Sequence, residues 1–214
     1  MTSGQEVSTG VPQWIVTFAD LMTLLFCFFV LLTTLSTQPK DCSGIADYLS
    51  ENREKFKNFE LRHSKLKCIL SLPSDYLFRS GSDVLQRRAL NALAPLFSAI
   101  RNMDEHQDDL LIVEGHTDNV PIRTKKFPSN WELSSARATN MATYLVNQLK
   151  FPADKVSVNA YADSRPKERY EDYYGNRKTG AELREARRTN RRVEIVLADQ
   201  PTSLEETEVL FDGR

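Results

Sequence analysis

The chain has 214 residues, room for one or two domains. Its 28 Lys and Arg stand against 29 Asp and Glu, a formal net charge of -1, which excludes a general nucleic-acid binder needing a basic surface. Hydrophobic residues make up 41% and concentrate near the N-terminus, so composition points to one membrane anchor followed by a polar, soluble part.

The first predicted element is the run WIVTFADLMTLLFCFFVLLTTL, Trp14 to Leu35. At about 1.5 Å per residue it spans roughly 30 Å, the hydrocarbon thickness of a bilayer. Met1 to Gln13 holds no Lys or Arg and no small-residue cleavage site follows, so the run reads as a retained helix over 14–36 and not as a cleaved signal. Trp14 and Phe18 suit an interfacial anchor. Glu6 before the helix and Lys40 after it give no support for a cytoplasmic N-terminus, so orientation must come from the soluble part. Asp20 lies about 9 Å along the axis from Trp14, inside the apolar layer. An isolated charge there costs at least about 2.5–3.5 kcal/mol. Snorkelling to the interface is the plain alternative, but Asp is short. The favoured reading is an acid facing a protein interface or wet cavity, able to exchange a proton or hold a cation. Thr17, Thr23 and Thr33 can back-bond to helix carbonyls, and the first two lie within a turn of Asp20.

Residues 37–67 read as a linker. TQPKDCSG stops the membrane helix, and Ile45, Tyr48, Leu49, Phe56, Phe59 and Leu66 suggest a short amphipathic helix followed by a charged connector. His63 has no matching ligands nearby and reads as a surface histidine. Of three cysteines, Cys27 lies in the membrane run, where it packs as a small apolar residue. Cys42 and Cys68 could form a disulfide in an oxidising compartment, with free thiols as the alternative. The spacing fits neither a zinc pattern nor a CxxC pair, and no metal site is expected.

From Cys68 to about residue 200 the pattern is that of a folded domain, with 201–214 as a tail. CILSLP predicts a strand and LFRSGSDVL a loop with a glycine turn. Leu90, Leu93, Phe97 and Ile100 predict a helix over Arg88 to Met103, LLIVEGH a buried strand, and Ala138, Met141, Leu145 and Leu149 a second helix capped by Ser134. VSVNAYA and RRVEIVLA add two strands. The expected fold is α+β: one transmembrane helix, a linker, and a βαβαββ sandwich with helices on one sheet face. Asp163 to Arg188 reads as a long charged loop, a solvated insertion in preference to a glycan or protein contact.

Two stretches carry the chemistry. GHTDNVP, Gly115 to Pro121, follows a strand, and SNWELSSARA, Ser129 to Ala138, opens a helix. A strand end beside a helix N-terminus, with its free N–H groups, is a natural anion site. Asp118 could take an ammonium and Arg137 a carboxylate, together suiting a zwitterion such as the free end of a diamino acid. A structural Asp118–Arg137 ion pair is the alternative that composition favours. No nucleophile–base set or phosphate loop is present, so the chain does not read as an enzyme, and no cofactor is expected.

GHTDNVP, SNWELSSARA and NRRVEIVL (Asn190 to Leu197) together resemble the OmpA-like peptidoglycan-binding domain, in the version found in flagellar stator B subunits. PQWIVTFADLMTLLFCFFVLL independently resembles the single membrane helix of that same MotB/PomB family. The resemblance implies that Asp20 is the ion-binding acid of a cell-wall-anchored motor carrying Na+ or H+, with sodium favoured by TFADLM and Cys27-Phe28-Phe29. It implies that Asp118 and Arg137 bind peptidoglycan diaminopimelate, that Thr117, Asn130 and Leu133 shape the pocket, and that Arg191 is a weaker member. It further implies a homodimer crossing a ring of A-subunit chains in the inner membrane, residues 1–13 cytoplasmic and the C-terminal domain periplasmic. A related non-flagellar ion-driven motor and a passive wall tether are the alternatives.

Overall fold

A computed structural model of the chain describes residues 12–36 and 40–199. The tails expected at 1–13 and 201–214 therefore lie outside the described residues, apart from Pro12 and Gln13. The described residues fall into two units, one on either side of Pro39.

The first unit is a single helix, α1 (Gln13–Ser36). Its stretch Gln13–Thr33 is long and apolar enough to cross a membrane. The hydroxyls of Thr17, Thr23 and Thr33 donate to the carbonyls of Trp14, Ala19 and Val30 at 2.8–2.9 Å, as the sequence suggests.

The second unit starts at Lys40, not at residue 68. The segment expected as a linker folds into the domain for three reasons. Cys42 and Cys68 are joined in a disulfide, which resolves their pairing. Lys40 Nζ donates to Asp109 at 2.5 Å and to Asp199 at 2.7 Å, and Asp109 also contacts His106 Nδ1 at 2.9 Å. Ile45 of α2 (Ser43–Glu51) and Phe56 enter the core, with Phe56, Phe59 and Tyr76 in successive ring contact. A short strand, β1 (Glu60–His63), follows and leaves His63 exposed.

The sheet holds β1, β2 (Lys67–Pro73), β3 (Leu110–His116), β4 (Val156–Ala162) and β5 (Arg192–Ala198) in the order β1-β2-β5-β3-β4. The last strand in sequence thus lies in the middle, antiparallel to β2 and β3, while β3 and β4 run parallel. All seven residues of β5 are buried, as a central strand requires, whereas edge strand β4 keeps two exposed positions. Alternation sends Val193, Ile195, Leu197, Leu111 and Val113 to one face, where they join Leu93, Phe97, Met141 and Leu145 of the helices. Ile112, Val196, Ala198 and Ile69 pack on the opposite face.

A short helix, α3 (Ser74–Leu77), follows β2, then α4 (Arg87–Arg101) and α5 (Asn130–Asn147). The cap of α5 is Ser129, not Ser134. Ser129 and Glu132 form a reciprocal capping box, and Ser134 sits buried in the second turn. The segment 163–188 is not one solvated loop. It contains most of α6 (Gly180–Asn190), and Asn190 clamps its first half by exchanging two hydrogen bonds with the Glu168 backbone at 2.7 and 2.8 Å.

Gly115 is where α5 lies closest to β3. A Cβ there would sit 2.2 Å from the Ser134 carbonyl oxygen and 3.3 Å from the Ala138 methyl. Gly115→Ala is expected to destabilise the domain by about 3 kcal/mol, the upper end of overpacking costs. Denaturant unfolding of the purified chain, followed by circular dichroism, checks this. Replacing both Cys42 and Cys68 with Ser removes a cross-link spanning 26 positions and should lower stability by about 3 kcal/mol in the same assay, with wild type under reductant matching the variant.

Candidate functional site

The site gathers where β3 ends. Thr117 donates its N–H to the Ala162 carbonyl at 2.8 Å, which holds the strand end against β4 before the chain turns at Asp118. Asp118 is 8% exposed. Its Oδ1 accepts from the Val120 N–H at 3.0 Å, closing a local turn, and its Oδ2 accepts from Arg191 at 2.7 Å.

Asn130, at the start of α5, fixes this loop from the other side. Its Nδ2 donates to the carbonyls of Asp118 and Val120 at 3.2 and 3.1 Å, and its Oδ1 accepts from the Ile122 N–H at 3.2 Å. Leu133 is buried one turn on, and the Thr117 hydroxyl donates to the Asp118 carbonyl at 3.0 Å. Both side chains are uncharged, and of the two it is Thr117 whose hydrogen bond holds the loop.

The two arginines are in different states. Arg191, just before β5, grips Asp75 with Nε and Nη2 at 3.1 and 2.7 Å and Asp118 with Nη1 at 2.7 Å. Those carboxylates, Asp75 first, raise its pKa despite burial, so its charge is fully committed. Arg137 is 5% exposed and donates only to carbonyls, Ser82 at 2.9 Å and Arg79 at 3.4 Å, with its guanidinium 5.1 Å above the Phe78 ring. Among the described residues it makes no ion pair within 4 Å. Burial pushes its pKa down to about 10, with the field of Asp75 partly opposing, so it remains charged at neutral pH.

The Asp118–Arg137 ion pair weighed as the structural alternative does not form among the described residues; Asp118 pairs with Arg191 instead. Asp75 joins unexpectedly. It lies 43 positions before Asp118 and in no motif, so only the fold brings it there. Arg187 of α6 reaches Asn119 at 3.0 Å and ties the charged segment to the same loop. The α5 N-terminus, read as an anion site, is capped from within the chain. The Ser129 side chain takes the Trp131 N–H, and the Glu132 carboxylate takes the Ser129 N–H at 2.8 Å and adds a negative charge.

On α1, Thr17, Asp20, Thr23 and Cys27 recur at spacings of three and four and share one face, a line of polar or small side chains among the apolar residues of the helix's first four turns. The structure places Asp20 in this separate unit.

Replacing Asn130 with Ala strips three hydrogen bonds from the 118–122 loop and should cost about 1–3 kcal/mol. Thermal unfolding reads the loss.

Two family models match the chain. Residues 3–52 match "Membrane MotB of proton-channel complex MotA/MotB", and residues 77–179 match the OmpA family. An uncharacterized protein of Bacillus subtilis, YtxE, is 28% identical over 92% of this chain and 92% of its own length. Motility protein B of the same organism is 30% identical over 60% of this chain, which spans 44% of that protein. The periplasmic domain of Helicobacter pylori MotB superposes with a TM-score of 0.58 at 23% identity, over 74% of this chain and 90% of that domain, a likeness of fold. The chain thus joins an N-terminal segment similar to the MotB membrane region, residues 3–52, to a domain similar to the OmpA family, residues 77–179.

Proposed function

We propose that the chain is a peptidoglycan-anchored B subunit of an ion-driven motor stator, working in a flagellar motor. In this reading α1 crosses the inner membrane with its N-terminus in the cytoplasm, and the domain from Lys40 onward stands in the periplasm. The Cys42–Cys68 disulfide supports that side, because such bonds persist in oxidising compartments. Two chains pair inside an A-subunit ring. Asp20, flanked on its helix face by Thr17 and Thr23, binds and releases the moving cation, with Na+ favoured over H+.

The observation that carries the wall-binding half is Arg137: a buried, charged guanidinium held by carbonyls alone, within the field of Asp118 and Asp75. A ligand carboxylate supplies the counter-charge it lacks, and Asp118 receives the ammonium of the same diamino-acid end. Arg191 keeps Asp118 in place, while Thr117, Asn130 and Leu133 hold the loop that presents it. In this scheme the domain resists the reaction torque and the chain itself catalyses no covalent reaction.

The test separates the two halves. Full-length chain in detergent should co-sediment with purified sacculi, and Arg137→Ala or Asp118→Ala should weaken this by at least about tenfold, the worth of one charge-assisted contact. Asp20→Asn should retain full wall binding yet abolish swimming when expressed with its A-subunit partner. Wall binding unchanged in both pocket variants refutes the pocket assignment. Motility and ion flow that both survive Asp20→Asn reduce the chain to a passive tether. Loss of ion flow without any effect on swimming points to a non-flagellar motor.

A further inference from the structure

On the sheet face turned away from α4 and α5, a second cluster lies outside the Asp118 site. Glu114 and Glu194 are register partners across β3 and β5, and His116 follows two residues along β3 on the same face. They are 6%, 5% and 2% exposed. The register between β3 and β4 shifts at Gly115/His116, a bulge of the kind that re-aims a side chain. His116 Nε2 ends 3.8 Å from an oxygen of Glu114 and 3.8 Å from Glu194 Oε2, and one donor atom from each residue lies within 4.8 Å of the others.

These separations are too long for hydrogen bonds. Both ring nitrogens of His116 are buried and have no hydrogen-bond partner among the described residues. Leaving such a group unpaired costs about 1–3 kcal/mol, so a further partner is called for. Two ligand atoms bound at about 2.0–2.1 Å to one tetrahedral ion stand roughly 3.4 Å apart, a few tenths of an ångström closer than His116 Nε2 stands to either glutamate oxygen.

The surroundings suit such an ion. Glu194 Oε1 accepts from Arg62 and Arg192 at 2.6 and 2.8 Å, which leaves Oε2 turned towards His116. Ligating carboxylates are typically braced by hydrogen bonds in this manner. The Tyr161 ring stacks on the imidazole at 5.3 Å and fixes its plane. One imidazole and two carboxylates favour a borderline transition metal over Mg2+ or Ca2+, which seek all-oxygen shells of six or more.

We propose that Glu114, His116 and Glu194 bind one Zn2+, with water as the fourth ligand, and that the ion braces β3 to β5 behind the wall-binding loop. No cysteine or histidine spacing announces it, because its ligands come from two strands separated by about eighty residues of sequence.

The test uses the full-length chain in detergent, stripped with chelator and titrated with Zn2+ alone. One ion per chain is expected, with a melting temperature that rises as Zn2+ is added. His116→Asn and Glu114→Gln should each weaken binding by about 100-fold, while His63→Asn on the exposed strand changes nothing. Co2+ in place of Zn2+ should give the visible absorption of a tetrahedral site, lost in either ligand variant. If His116→Asn does not fold, Glu114→Gln decides. A folded wild-type chain that takes up no Zn2+, or a Glu114→Gln chain that binds it as tightly as wild type, overturns the proposal.

Discussion

The close approach of α5 to β3 at Gly115 and Ser134 governs the rest of the domain. Asp118 lies three residues beyond Gly115, and Arg137 three residues beyond Ser134. Fixing the first pair therefore fixes the second, one from a strand end and one from a helix. The missing Cβ at Gly115 lets the helix backbone lie against the strand. Ser134, accepting the Ala162 N–H at 3.3 Å and donating to the Trp131 carbonyl at 3.0 Å, links α5 to the end of β4 as well. Asn130 then completes the frame by holding the intervening loop at three backbone points.

Within that frame the two arginines divide the work. Arg191 is saturated by Asp75 and Asp118 and behaves as a strut. Arg137 carries the same charge but meets only carbonyls and an aromatic face. Carbonyl dipoles lower the cost of burying a guanidinium without neutralising it. The same division recurs behind the sheet, where Arg62 and Arg192 occupy one oxygen of Glu194 and leave the other facing His116.

The segment after the membrane helix belongs to the domain because its apolar residues have nowhere else to go. Ile45 is fully buried and Phe56 nearly so, and the disulfide and the Lys40–Asp109 pair hold the segment at both chemical extremes, covalent and ionic. The folded unit thus begins four positions after α1 ends.

The sequence by itself determined the membrane-type helix and its acid, the four long strands, α4 and α5, and the two motifs holding Asp118 and Arg137. Each is a local pattern: an unbroken apolar run, a period of two or 3.6, or a short string of residues. Only the tertiary structure decided that β5 lies at the sheet's centre, that residues 40–67 are part of the core, that Arg191 and Asp75 complete the Asp118 site, and that Glu114, His116 and Glu194 meet. Those pairings join residues tens of positions apart. Their partners are selected by sheet register and by the burial of charge, which no local periodicity encodes.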